Sequence, residues 1–144
     1  MSASEKWLPT HHGLSPRPCD IARSAAAIRL CWRSIQALLR SPSLSSIYIG
    51  YANGDFFYMR RLRDDAERKD FNSPEQGAFL VQSIERTGDA RGRYIYLDAE
   101  LNVLREDERP DFATSYDPRT RPWFNDAMAA GKAIKTAPYL FFSN

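Results

Sequence analysis

Apolar positions recur along this chain at two different periods, and the change of period divides it. In "DIARSAAAIRLCWRSIQALLRSP", Ile21, Ala25, Ile28, Trp32, Ile35 and Leu39 fall three or four apart. That spacing lines one side of an α-helix with apolar groups. Asp20 suits the position before the first turn and Pro42 the stop, so the pattern predicts a long helix over residues 20–40. Arg23, Arg29, Arg33 and Arg40 lie mostly off the stripe. They read as a solvated face on a packed helix, or as a face turned to a partner or a membrane surface.

From residue 45 the period shortens to two. In "SSIYIGYANGDFFYMRRL", two β-rich runs, residues 47–51 and 56–60, flank Asn53 and Gly54. Asn-Gly favours a type I′ turn, the turn that matches the twist of a hairpin. "LRDDAERKDFNSPEQ" is polar and reads as a loop. "GAFLVQSIER" reads as a strand, "TGDARG" as a turn, and "RYIYLDAELNVLRED" as a strand, a tight turn and a short strand. About five strands, mostly antiparallel, are thus expected within residues 47–104. "WFNDAMAAG" then predicts a short helix closed by Gly131, and "KTAPYLFF" a last strand. The order of elements predicts an α+β domain, a long N-terminal helix packed on one antiparallel sheet. Residues 1–18 are polar, broken by prolines and read as an irregular leader. The last strand runs straight into the end at Asn144, so the sheet is expected to be cut short there.

Composition narrows the function classes. The 144 residues suit one domain, with 43% apolar and 26% charged residues as in ordinary globular proteins. The net charge of +2 is too small to point to nucleic acid. It is also uneven: residues 1–40 hold six Lys/Arg against two acids, and residues 41–144 hold fourteen against sixteen. No run of about 18 apolar residues predicts a transmembrane helix, and residues 1–20 lack the apolar core of a signal peptide.

Motifs for catalysis are missing. The sequence has no GxSxG, P-loop, GxGxxG or HExxH pattern. Its two histidines, His11 and His12, sit side by side in the leader. Cys19 and Cys31 are twelve apart, too far to bridge along one helix, and no CxxC occurs. Asp64-Asp65 and Asp107-Glu108 read as solvated charge. No metal, cofactor or catalytic role is expected.

One stretch concentrates chemistry: "YDPRTRPWFNDA", residues 116–127. Tyr116 brings a phenol that donates or accepts. Arg121 brings a planar fork that matches a carboxylate. Trp123 brings an indole N–H and a broad face. Pro118 and Pro122 stiffen the turn, and Pro122 suits a first helical position. Tyr139, fifteen residues beyond Phe124, can close one wall. Two readings stay open from the residues themselves. The rings cap the core and Arg121 pairs locally with Asp117 or Asp126, or the group forms a pocket for a small anion or zwitterion.

The order Tyr-x-x-x-x-Arg-x-Trp-aromatic, followed by an aromatic on the next strand, resembles the ligand-binding signature of double Cache (dCache) sensor domains. The wording "GYANGDFFYMRRL", "YDPRTRPWF" and "PYLFF" is most similar to sensor regions attached to adenylate/guanylate cyclases. The likeness covers residues 20–144, which would be a partial dCache sensor: the long helix and a PAS-like, membrane-distal module over residues 45–144. It implies an extracytoplasmic sensor with no catalysis of its own, whose ligand is an amino acid or other small carboxylate. By position, Arg121 and Trp123 would face the carboxylate, and Tyr116 and Tyr139 an amine. Phe124 stands where the family offers a hydroxyl, and the family's later aspartate would fall beyond Asn144. The implied partner is a small molecule and not nucleic acid, with a homodimer through the long helix as a further possibility. The alternative is an intracellular PAS-like dimerisation module with no ligand, using Trp32 for contact.

Overall fold

The computed structural model describes residues 25–135. The leader, the start of the expected helix and the last strand with Tyr139 lie outside them. Helix α1 spans Ala25–Arg40, and strands β1 (Ser46–Gly50) and β2 (Phe56–Arg61) follow as a hairpin. A one-and-a-half-turn helix α2 (Asp65–Asp70) leads to β3 (Phe79–Glu85), β4 (Arg91–Leu97) and β5 (Val103–Glu108). Helix α3 (Pro110–Ser115), a 3-10 turn (Pro118–Thr120) and α4 (Pro122–Ala130) complete the described chain. The five strands form one sheet in the order β1-β2-β3-β4-β5, every neighbour antiparallel. The α+β architecture with an antiparallel sheet is therefore as expected.

Strand alternation divides the core into two layers. One face carries Met59, Phe79, Val81, Ile95 and Leu97, packed with Ile35 and Leu38 of α1. Here the expected helical stripe needs correcting. Leu38 is fully buried and Leu39 is 36% exposed, so the buried line runs from Ile35 to Leu38, three residues on rather than four. Arg61, on β2, fixes the end of this helix by donating to the carbonyls of Leu38 and, at 3.3 Å, Leu39.

The other face carries Phe56, Tyr58, Leu80, Ile84, Tyr94 and Tyr96, under Phe112, Ala113 and Tyr116. Two short helices on this side were not anticipated. α2 buries no residue and exists through its cap. The Asp64 carboxylate accepts the Glu67 N–H at 2.8 Å, and Glu67 Oε2 accepts the Arg63 N–H at 2.8 Å. Tyr96 anchors its end by donating to Phe71 O at 2.8 Å. α3 begins with Pro110 and lies directly on β4 at Gly92, where a Cβ would come within 2.2 Å of Arg109 O.

The hairpin turn also differs from the expected type I′. Asn53 does not have a positive φ, whereas Gly54 does, at 90°. Gly54 N–H donates to Tyr51 O, and Tyr51 N–H to Asp55 O, both at 2.9 Å. The loop is thus three residues long, with glycine in the left-handed position. The Asn53 side chain prefers this arrangement because its Oδ1 accepts the Asp55 N–H at 3.0 Å.

Candidate functional site

Tyr116 ends α3 and is buried, with its ring 4.6 Å from Phe56 and 5.6 Å from Phe112, centroid to centroid. Burial raises its phenol above the usual tyrosine range, opposed by hydrogen bonds from Trp123 and Arg121 and by the charge of Arg121. The Arg121 guanidinium carbon stands 5.3 Å from the centre of the Tyr116 ring. Trp123 meets Tyr48 of β1 edge-on at 4.8 Å and lies 6.5 Å from Phe56. Phe124 meets Trp123 edge-on at 5.7 Å. Four of the five residues singled out by sequence therefore converge: Tyr116, Arg121, Trp123 and Phe124. Tyr139 lies outside the described residues.

Local chemistry explains how this segment is built. Asp117 caps the 3-10 turn, accepting the Arg119 N–H at 2.9 Å and the Arg119 side chain at 2.6 Å. Arg119 thereby holds the Asp117 carboxyl below the usual range. Asp117 is thus engaged by Arg119, and Arg121 stands instead against the Tyr116 ring. Arg121 then precedes Pro122, the first residue of α4, and Gly131 closes that helix in the left-handed conformation at φ 62°.

Two features seat the segment on the hairpin. At Gly50 a Cβ would lie 2.7 Å from Trp123 Cη2, 3.0 Å from Pro118 Cβ and 3.1 Å from Phe124 Cδ2. Only a glycine leaves room for those three side chains over the end of β1. Arg86, just past β3, ties three carbonyls together: it donates to Gly54 O, to Ala113 O at 2.9 Å and to Tyr116 O at 2.7 Å. Its own N–H is held by Asp55 Oδ1 at 2.6 Å. Hairpin turn, helix end and Tyr116 are fixed relative to one another by this one guanidinium.

Sequence reasoning missed the floor beneath the segment. Strand register puts Tyr48, Tyr58, Gln82, Tyr94 and Asp107 in one row across all five strands. The row lies on the face covered by α3 and the aromatic segment. Tyr94 is raised above the ordinary tyrosine range by burial, opposed by Arg109 and by a hydrogen bond with Gln82. Arg109 stands 4.5 Å over its ring, and Arg105 pairs with Asp107 at 3.1 Å at the end of the row. Period-two alternation signals which residues share a face within a strand, but not which ones meet across strands.

Among the described residues no three His, Cys, Asp or Glu side chains gather as a metal site. No helix there is long and apolar enough to cross a membrane.

The chain is similar to proteins of bacterial signal transduction. It is 33% identical over 106 residues to adenylate cyclase 1 of Rhizobium meliloti (strain 1021), which covers 72% of this chain and 16% of that protein. It is 43% identical over 44 residues to the methyl-accepting chemotaxis protein McpG of Pseudomonas putida KT2440, covering 31% of this chain and 7% of that one. The chain thus spans less than a fifth of the length of either relative. No family model matches it, and no solved structure does.

Proposed function

We propose that this chain is the ligand-sensing module of a bacterial receptor, of the double Cache kind, which binds an amino acid or another small carboxylate and catalyses nothing itself. The observation that carries the reading is the convergence of Tyr116, Arg121 and Trp123: Arg121 stands 5.3 Å from the centre of the Tyr116 ring, Tyr116 lies against Phe56, and Trp123 lies against Tyr48. A rigid, proline-braced cluster loses little entropy when a ligand settles on it. A guanidinium beside aromatic walls suits a carboxylate at the end of a small, partly apolar molecule. The two relatives, a cyclase and a chemoreceptor, are large signalling proteins of which this chain matches a small part, as a sensing module would. In that reading the module faces the extracytoplasmic side and hands its signal to an output domain elsewhere in the protein.

A thermal-shift screen of the full chain against the twenty L-amino acids and a set of small mono- and dicarboxylates tests this. A ligand at a hundred times its Kd adds about 2.7 kcal/mol of stability. At least one probe should raise the melting temperature by several degrees, and Arg121→Ala should abolish that rise while the protein stays folded. If Arg121→Ala binds as tightly as the parent, the assignment of the site is wrong. If no probe acts and light scattering shows a concentration-dependent dimer, the interaction-module alternative is favoured instead.

A further inference from the structure

Gln82 sits where a buried apolar residue belongs. β3 is the middle strand of five, and Leu80 and Ile84, two residues away on the same face, are 0% and 2% exposed. Its cross-strand neighbours Tyr58 and Tyr94 are 5% and 7% exposed. Gln82 alone in this block is partly open to solvent. That partial exposure, on a face covered elsewhere by α3 and the aromatic segment, marks where solvent or the far end of a ligand reaches the floor.

Tyr58 and Tyr94 flank Gln82 along the row, Tyr48 stands one strand further, and Trp123 rests on Tyr48. From Tyr48 to Gln82 is two strand spacings, roughly 10 Å. In the binding reading, the end of a small molecule away from Arg121 and Trp123 is the part that can reach Gln82. The charges near that end are already committed. Arg109 lies over Tyr94 and pairs with Asp111 at 3.2 Å, and Asp107 pairs with Arg105. Beside those charges the row carries tyrosines and one amide, that of Gln82.

We propose that Gln82 is a specificity-determining residue, whose side-chain amide reads an uncharged hydrogen-bonding group on the ligand, a hydroxyl or a carboxamide, at the end away from its carboxylate. This rests on the binding reading given above and deepens it. An amide both donates and accepts, so it matches a hydroxyl or another amide and leaves one of its groups unmet beside a methyl.

The test pairs probes that differ in one group: L-glutamine with L-norvaline, and 4-hydroxybutyrate with butyrate. Affinities are measured by calorimetry on the full chain and on Gln82→Leu, Gln82→Glu and Arg121→Ala. Gln82→Leu keeps the size and places an apolar residue among Leu80, Ile84 and two tyrosine rings, so the protein should fold. The polar member of at least one pair should bind the parent about tenfold more tightly than its apolar partner, and Gln82→Leu should erase that preference. Weakening both members equally, or neither, overturns the inference while leaving the binding reading intact, provided Arg121→Ala still loses both. Binding of no probe to the parent, or binding that ignores Arg121, overturns the binding reading and this inference with it.

Discussion

Replacing Arg86 with alanine removes one side chain and orphans three carbonyls. Arg86 donates to Gly54 O, Ala113 O and Tyr116 O, and it is partly buried where it does so. A hydrogen bond lost at such a place costs about 1–1.5 kcal/mol once the competing water is counted, so three cost about 3–4 kcal/mol. For a chain of 144 residues that lowers the melting temperature by roughly 10–15 °C. Arg86→Lys should recover about a third of the loss, because an ammonium cannot spread its donors over three carbonyls as the guanidinium fork does. Arg119→Ala is the control. Its partner Asp117 is also close, but the pair is 44% and 28% exposed, and such pairs contribute about 1 kcal/mol or less. The measurement is urea and thermal unfolding of all three variants, followed by far-UV circular dichroism. If Arg86→Ala falls within about 1 kcal/mol of the parent, or no further than Arg119→Ala, the three bonds do not tie hairpin and helix together as described.

Gly50→Ala should destabilise by about 1–2 kcal/mol. The methyl meets Trp123, Pro118 and Phe124 at 2.7–3.1 Å, and overpacking outweighs the entropic gain of about 0.4–1 kcal/mol from restricting the unfolded chain. A changed near-ultraviolet dichroism band with an unchanged far-ultraviolet spectrum would locate the damage in the aromatic segment, and a more stable variant would contradict the close approach. Acid should weaken the fold below about pH 4. The carboxyls of Asp98, Asp111 and Asp117 are each held low by hydrogen bonds, from Asn102, Arg109 and Arg119 respectively. Their contribution is present above the unfolded carboxylate pKa and lost as pH falls through the folded values. At the other limit Tyr94 and Tyr116 are raised by burial, so their contribution is complete below about pH 10 and lost above it. Unfolding free energy measured from pH 2 to 11 should show both limbs, and Asp117→Asn should make the acid limb shallower.

The sheet was legible because alternation repeated over five runs of five to seven residues, long enough for a period to declare itself. α2 and α3 were not, being six residues each. At that length no stripe can recur, and what holds them is a cap at Asp64 and a glycine at position 92 that gives α3 room. Asn53-Gly54 was recognised as a turn but given the wrong geometry. The choice between a two-residue and a three-residue loop lay in the pairing of Tyr51 with Asp55, which neighbouring residues do not announce. In the candidate site, Tyr116, Arg121, Trp123 and Phe124 were visible because they lie within nine residues of one another. Tyr48 comes from β1, and Gln82 and Arg86 from β3 and the residue just past it, all far from that segment in the chain, and only register and the fold bring them under it.

Strand order in this sheet is also chain order. Each strand pairs with the one made just before it; three of the four connections are five residues long, and the fourth, seventeen residues between β2 and β3, carries α2, so the sheet closes through near-neighbour pairings of low entropic cost. The aromatic segment follows all five strands and rests on residues from β1 and β2 and on Arg86 beyond β3. It has nothing to settle on until the sheet exists. In a chain emerging from the ribosome, the five-stranded floor is therefore complete before the aromatic segment can settle on it.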